Sequence, residues 1–138
     1  MTVLVAFDGS DPAQKALEHA VRTFEDEEIV LLRVLDRPDG LIDAGVEFTR
    51  EKLKELREET RTDLSAEVEA VLDPGEVDLR TEVAVGEPAR EIVEYAEEHD
   101  VDHVVVGNHG RDGMARVLLG SVAEQVVRRA PMPVTVVR

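Results

Sequence analysis

Short apolar runs rich in β-branched residues recur along this chain, with room for one helix between successive runs. Four of them are nearly continuous in their apolarity and too short for a helix, which is typical of parallel strands covered on both faces. They are Val3 to Phe7, Ile29 to Leu35, Val101 to Val106 and Met132 to Val137. A fifth run, Val77 to Val85, alternates apolar and polar residues, so we expect it at an edge of the sheet.

The segment after the first run has the start signals and the apolar stripe of a helix. Asp11 is the predicted N-cap, Pro12 the first helical position, and Gln14 completes a capping box. The residues predicted to face the core recur every three or four positions. They are Ala13, Ala16, Leu17, Ala20, Val21 and Phe24.

Three further helices are predicted from the same periodicity. The first extends from about Ala44 to Leu72, the second begins at Pro88 and the third ends before Pro131. The apolar stripe of the third consists of Val122, Ala123, Val126, Val127 and Ala130. Strands that alternate with helices form parallel sheets with right-handed crossovers, so we predict one doubly wound α/β domain over residues 1–138.

Composition excludes several classes of function. The net charge is −15, from 31 acidic and 16 basic residues, and a phosphate backbone needs clustered Lys and Arg, so nucleic acid is not an expected partner. The absence of cysteine excludes disulfides, thiolate metal sites and cysteine nucleophiles. No apolar run approaches the roughly 20 residues of a membrane span, and the start MTVLVAFDGS lacks signal-peptide features. We therefore expect a cytoplasmic protein with no membrane partner.

The acidic composition also bears on the environment of the protein. Lysine occurs at three positions, Lys15, Lys52 and Lys54. Repulsion among so many carboxylates is screened within about 3 Å at 1 M salt, so we hypothesise a halophilic source with a cytoplasm of high ionic strength. A merely soluble acidic protein is the alternative.

A glycine-rich stretch, GNHGRDGMARVLLGS, follows the fourth apolar run. Ligands of open α/β sheets bind beyond the carboxyl ends of the strands, where Gly107 is expected to lie. Gly107 and Gly110 can adopt positive φ and turn N–H groups inward, while Gly120 and Ser121 offer free N–H donors at a helix start, and together these suit a phosphate chain. A tight turn followed by a serine helix cap explains the same residues equally well. Neither GxxxxGK[ST] nor a GxGxxG after the first strand is present to decide between them.

The wider pattern resembles the universal stress protein family. The spacing G-x-x-G, nine residues, G-S is preceded by VGEPAREIVEYAEEHDVDHVVVG and followed by VAEQVVRRAPMPVTVVR, and the resemblance covers essentially the whole chain. It implies a doubly wound five-stranded parallel sheet of order 3-2-1-4-5, with helices on both faces. The glycine pattern is the one that marks the ATP-binding branch of that family.

The resemblance also implies a nucleotide site. Asp8 is expected to hold the ribose hydroxyls, Ala6 to wall the base, and Val34 to meet the adenine edge through its backbone. The ribose and phosphates are expected against the N–H groups of Gly107, Gly110, Gly120, Ser121 and Val122. These contacts fit ATP, with ADP or AMP as alternatives, because adenine and ribose are common to all three. Mg²⁺ or Mn²⁺ is expected to bridge the phosphates.

Three functions stay open at this point. The first is a stress-response regulatory homodimer with slow or no ATP turnover, since the chain offers no clear general base or metal-binding carboxylate pair, and no catalytic residue is assigned. The second is a weak ATPase or autophosphorylating phosphotransferase that uses Ser121 or His109. The third is a structural dimer with an empty site. The last strand, Met132 to Val137, is apolar and expected at a sheet edge, so a second copy is predicted to pair with it, as the resemblance also implies.

Overall fold

Strands and helices alternate along the chain in the computed structural model, which describes residues 1–35, 50–72, 78–108 and 119–138. This is the alternation that the spacing of the apolar runs predicts. The elements are β1 (Thr2–Ala6), α1 (Asp11–Thr23), β2 (Glu28–Leu35), α2 (Arg50–Val71), β3 (Leu79–Val85), α3 (Pro88–Glu98), β4 (His103–Gly107), α4 (Ser121–Arg129) and β5 (Val134–Val137).

The five strands form one parallel sheet in the order β3-β2-β1-β4-β5. β1 is central: Val5 lies opposite Leu31 of β2 on one side and opposite Val105 of β4 on the other. β3 and β5 are the two edge strands, as predicted. The doubly wound α/β fold of order 3-2-1-4-5 is therefore confirmed.

An apolar core lies on each face of the sheet, beneath a pair of helices. Successive residues of a strand point to opposite faces, so β1 contributes Val3 and Val5 to one core and Leu4 to the other. The core beneath α1 and α2 contains Val3, Val5, Phe7, Ala13, Ala16, Leu17, Ala20, Ile29, Leu31, Leu64, Val68 and Val105. The core beneath α3 and α4 contains Leu4, Val30, Leu32, Ala89, Ile92, Ala96, Val101, Val104, Val106, Ala123 and Val126. Cover on both faces explains why the central strands are apolar at nearly every position.

Ion pairs connect α2 to the strands beneath it. Arg33 of β2 lies 3.5 Å from Glu67 of α2, and the Arg33 side chain is only 16% exposed. Arg61 of α2 lies 3.2 Å from Glu82 of β3. Because Arg33 is largely removed from water, its carboxylate partner offsets part of the desolvation cost of the guanidinium.

The start of α1 differs by one residue from the prediction. Ser10, not Asp11, is the N-cap, because the Ser10 hydroxyl accepts the Ala13 N–H. Gln14 therefore falls one position beyond the capping box, and its N–H bonds to the Ser10 carbonyl in the ordinary helical pattern. Pro12 remains in the first turn, where a missing N–H donor costs nothing.

Two other helix predictions need comment. Val127 is 45% exposed and so does not belong to the buried stripe of α4, in which Ala123 and Val126 are covered. α4 packs against α3 and the edge strand β5, and this packing leaves Val127 uncovered. The predicted start of the second helix at Ala44 lies outside the described residues. Of the helices that are described, none has the length and apolarity needed to cross a membrane.

Candidate functional site

The chain reverses its winding direction between β1 and β4. From β1 it passes through α1 to β2 on one side, and from β3 it passes through α3 to β4 on the other. Open α/β sheets bind their ligands at such a reversal point, beyond the carboxyl ends of the strands, so the candidate crevice lies between the ends of β1 and β4. Residues 7–10 border this crevice after β1, and residues 108 and 119–121 border it after β4.

A tight turn after β1 fixes the carboxylate of Asp8. The Ser10 N–H donates to Asp8 Oδ1 at 2.9 Å, and the Ser10 hydroxyl donates to the same oxygen. Gly9 between them has φ +83°, a left-handed conformation that glycine adopts without strain. Ser10 also accepts the Ala13 N–H at 3.3 Å, as the cap of α1. The sequence DGS thus holds the carboxylate against the start of a helix.

Gly107 ends β4 at a point where α1 passes very close. A β-carbon added at Gly107 would lie 2.7 Å from the backbone carbonyl carbon of Pro12 and 2.8 Å from its oxygen. The positive φ considered for Gly107 is not found: the described glycines with positive φ are Gly9 and Gly86, and Gly107 instead pairs with Val137 in the sheet. The lack of a side chain at Gly107 is therefore required by the approach of α1.

Asn108 and Gly120, which flank the segment between β4 and α4, are joined by a backbone hydrogen bond. The Asn108 N–H donates to the Val137 carbonyl at 2.8 Å, and the Gly120 N–H donates to the Asn108 carbonyl at 2.7 Å. The sequence suggested a free donor at Gly120, and this is wrong because the end of β4 accepts that N–H.

The first turn of α4 supplies backbone donors next to this bridge. Gly120 is the N-cap, with φ −67° and ψ 160°, and its carbonyl accepts the Glu124 N–H at 2.9 Å as the first helical bond. The N–H groups of Ser121 and Val122 precede that bond, so the helix itself provides no acceptor for them. The Ser121 side chain is exposed. A helix start with these properties attracts anions through its donors and its dipole.

A set of partly buried apolar side chains continues the core beneath α3 and α4 toward the carboxyl ends of the strands. They are Ala6, Val34, Ala84, Leu119 and Val122. The first three come from the last two residues of β1, β2 and β3, so they form a wall along the same edge of the sheet. Ala84 and Leu119 were not predicted from the sequence, although the alternation of β3 places Ala84 on this face. A wall of small and branched apolar side chains fits a flat ring.

Two residues singled out in the sequence have no described position. Gly110 and His109 lie outside the described residues, so their roles stay predictions. Within the four described ranges, no three His, Asp or Glu side chains are arranged to hold a metal ion.

A histidine with a shifted pKa lies at the other end of β4. His103 begins that strand, its Nε2 is 2.6 Å from the Thr135 hydroxyl, and its ring centroid is 5.1 Å from that of Phe24. Burial, and to a smaller extent the charge of His19, lower the pKa of His103 below its ordinary value of 6.5. His103 therefore joins β4 to β5 through Thr135 rather than contributing to the crevice.

The strand order, the crevice at the reversal point and the helix start beside it define a doubly wound α/β protein with a candidate site for an anionic, partly apolar ligand. A model of the Universal stress protein family matches residues 1–138, and the chain belongs to that family.

Relatives and solved structures extend along nearly the whole chain. Universal stress protein MJ0531 of Methanocaldococcus jannaschii is 35% identical, over 99% of this chain and 81% of its own length. MJ0577 of the same organism is 32% identical, over 99% of this chain and 93% of its own length. The solved structure of MJ0577 superposes with a TM-score of 0.76 at 31% identity, covering 99% of this chain and 94% of that one.

Two of the similar solved structures hold adenine nucleotides. A universal stress protein in complex with cAMP superposes with a TM-score of 0.64 at 28% identity, covering 100% of this chain and 96% of that one. The universal stress protein of Archaeoglobus fulgidus in complex with dAMP superposes with a TM-score of 0.62 at 25% identity, covering 100% of this chain and 98% of that one.

Proposed function

We propose that this chain is a nucleotide-binding universal stress protein of the ATP-binding branch, a single domain over residues 1–138 that acts in the stress response as a regulatory homodimer. The observation that carries the proposal is the arrangement at the reversal point of the sheet. One crevice is bordered there by a fixed carboxylate, an apolar wall and the N–H donors of a helix start. These three features match a sugar, a purine and a phosphate respectively. The cAMP and dAMP complexes of similar proteins support an adenine nucleotide as the ligand.

Each part of the crevice suits one part of the nucleotide. Asp8 would accept hydrogen bonds from the ribose hydroxyls, Ala6 would wall the adenine, and Val34 would meet the adenine edge through its backbone. The N–H groups of Ser121 and Val122 would hold phosphate oxygens, with the Ser121 hydroxyl as an additional donor. The role proposed for Gly120 changes with its occupied N–H: it lets a phosphate approach the helix start closely. Gly107 and Gly110 complete the set as residues whose backbone the ribose and phosphates would approach.

The phosphates make a divalent cation part of the proposal. At a net charge of −15 the long-range field of the protein repels free ATP, so Mg²⁺ or Mn²⁺ bound to the phosphates would reduce that repulsion. ATP is the ligand we propose, with ADP or AMP as alternatives.

The first test is to purify the protein without added nucleotide, denature it, and identify by chromatography the adenine nucleotide released per chain. Near-stoichiometric ATP is expected if binding is tight and turnover is slow. Asp8→Ala is expected to weaken ATP binding by about tenfold or more, because a hydrogen bond to a charged group contributes roughly 1.5–3 kcal/mol. Asp63→Ala, an equal change of charge at an exposed position of α2, is the control. No released nucleotide, and no binding of added ATP with Mg²⁺ in high KCl, would contradict the proposal.

The enzymatic alternative has its own test. The exposed hydroxyl of Ser121 at the helix start is the feature that favours it. Steady phosphate release that Ser121→Ala abolishes would favour a weak ATPase or autophosphorylating enzyme over a regulatory binding protein. Released ADP in place of ATP would indicate either turnover or ADP as the preferred ligand, and the Ser121→Ala variant would distinguish the two.

The free edge of β5 supports the proposed homodimer. The Val137 carbonyl faces β4, where it accepts the Asn108 N–H, so the backbone groups of the neighbouring Val136 face away from the sheet. Exposed Val127 adds apolar surface on the adjacent helix. We expect sedimentation equilibrium to give the mass of two chains for the wild type. Val136→Pro removes an outward N–H donor and should give the mass of one chain. Val136→Thr keeps that donor and should remain a dimer. A dimeric Val136→Pro variant would place the interface elsewhere.

A cytoplasm of high ionic strength completes the proposal. The charge of −15 destabilises the folded state by self-repulsion at low salt, and added ions screen that repulsion. We expect the melting temperature to rise as KCl is increased into the molar range. A melting temperature that does not respond to KCl would favour an ordinary acidic protein.

A further inference from the structure

We propose that Ser10 is a positioning residue for the nucleotide site: its hydroxyl fixes the orientation of the Asp8 carboxylate that receives the ribose. This inference rests on the proposed function. Ser10 itself is not expected to touch the nucleotide, so its effect would pass entirely through Asp8.

The hydrogen bonds around Ser10 determine where its hydroxyl proton points. Asp8 Oδ1 receives the Ser10 N–H at 2.9 Å and also the Ser10 hydroxyl. An ionised carboxylate can only accept, so the hydroxyl is the donor in this pair. The lone pairs of the same hydroxyl accept the Ala13 N–H at 3.3 Å. The Ser10 hydroxyl therefore donates to the Asp8 carboxylate and accepts from the first turn of α1.

This arrangement connects a side chain on a loop to a rigid helix. Asp8 follows β1 outside the strand ladder, and an aspartate there can rotate about two side-chain bonds. Its two bonds to Ser10 attach it to the first turn of α1. That helix is anchored by Ala13, Ala16, Leu17 and Ala20, which are at most 4% exposed. A carboxylate held in one orientation loses little freedom when a ribose binds, so affinity for the two hydroxyls increases.

A role in helix capping alone does not account for the geometry. Capping by the side chain requires only that the Ser10 hydroxyl accept the Ala13 N–H, and that contact, at 3.3 Å, is longer than either hydrogen bond between Ser10 and Asp8. The two contacts with Asp8 are shorter, and neither is needed to start α1.

Variants of Ser10 separate positioning from capping. Ser10→Ala removes the hydroxyl and the cap, Ser10→Gly removes the hydroxyl at a position where glycine is itself a good cap, and Ser10→Thr retains both functions. Ser65→Ala, on α2, is the matched control for loss of a serine hydroxyl. Each variant is titrated calorimetrically, as full-length protein with Mg²⁺, against ATP and against 2′,3′-dideoxy-ATP, which lacks both hydroxyls that Asp8 would bind.

The expected result is a change in the ratio of the two affinities. Ser10→Ala and Ser10→Gly should weaken ATP binding by about fivefold, the cost of ordering one side chain on binding, and leave dideoxy-ATP binding unchanged. Ser10→Thr and Ser65→Ala should keep the wild-type ratio. Equal weakening toward both nucleotides would show that Ser10 acts only through helix stability, and unchanged binding of both would show no role, so either result overturns the inference.

The wild type distinguishes failure of the inference from failure of the proposed function. A wild-type protein that binds neither nucleotide overturns both. A wild-type protein that binds both equally well keeps nucleotide binding but removes the ribose contact of Asp8, and the inference falls with that contact.

Discussion

Gly107→Ala is the substitution whose cost follows most directly from the structure. The new β-carbon would lie 2.7 Å and 2.8 Å from backbone atoms of Pro12, distances that packed atoms do not tolerate. No side-chain rotation can relieve a contact with backbone, so α1 would have to shift off the core in which Ala13, Ala16, Leu17 and Ala20 are buried. Overpacking of this kind costs about 1–3 kcal/mol in free energy of unfolding. For a domain of this length that corresponds to a fall of roughly 3–10 °C in melting temperature.

Thermal and urea unfolding followed by circular dichroism measure this cost. The control is Gly120→Ala, because φ −67° at Gly120 is open to any residue, so the cost of this variant is confined to the poorer N-cap that alanine makes. The double variant Gly107→Ala with Pro12→Gly should remain nearly as unstable as Gly107→Ala, since the nearest atoms of Pro12 are its backbone carbon and oxygen. A Gly107→Ala variant that melts within about 1 °C of the wild type would refute the close approach of α1 to β4.

Two further predictions concern charge. The pKa of His103 is lowered on folding, so the unfolded chain binds more protons than the folded chain around and below the ordinary value of 6.5. Stability should therefore fall as the pH decreases through and below 6.5, and urea unfolding of His103→Gln should show a weaker pH dependence. Glu67→Gln should lower the free energy of unfolding by about 1 kcal/mol or more, because it leaves the mostly buried Arg33 without its carboxylate partner. Glu94→Gln should lower it by less than about 0.5 kcal/mol, because the side chains of the Arg90–Glu94 pair are 66% and 44% exposed. Equal costs for the two glutamates would contradict the assigned difference in burial.

Apolar periodicity predicted the order of strands and helices because burial on two faces leaves a strong pattern. It could not fix where α1 begins, since Ser10 and Asp11 are both good caps and stand side by side. Ser10 is selected by its contact with Asp8, which depends on the turn at Gly9. Strand order likewise came from the family resemblance, because apolar runs separate central strands from edge strands without giving their sequence across the sheet.

The candidate site was predictable as a place but not in its details. The glycines marked the end of β4 and the start of α4, as the structure has them. The reason for Gly107, however, is a contact with Pro12, far away in the chain, and no local pattern encodes such a contact. The same holds for Gly120, whose N–H is taken by the Asn108 carbonyl. Both glycines therefore have a structural role of their own: Gly107 allows the close approach of α1, and Gly120 donates its N–H to Asn108.

The central position of β1 also has a consequence for the order of events during synthesis. Val3 pairs with Ile29 on one side and with His103 on the other, and the second partner leaves the ribosome long after the first. One side of β1 therefore stays unpaired in the early β1–α1–β2 unit until β4 has been synthesised. Contacts between residues so distant in sequence also slow folding. The crevice forms only when β4 joins that side. A ligand that binds there would stabilise only chains in which β4 has paired with β1.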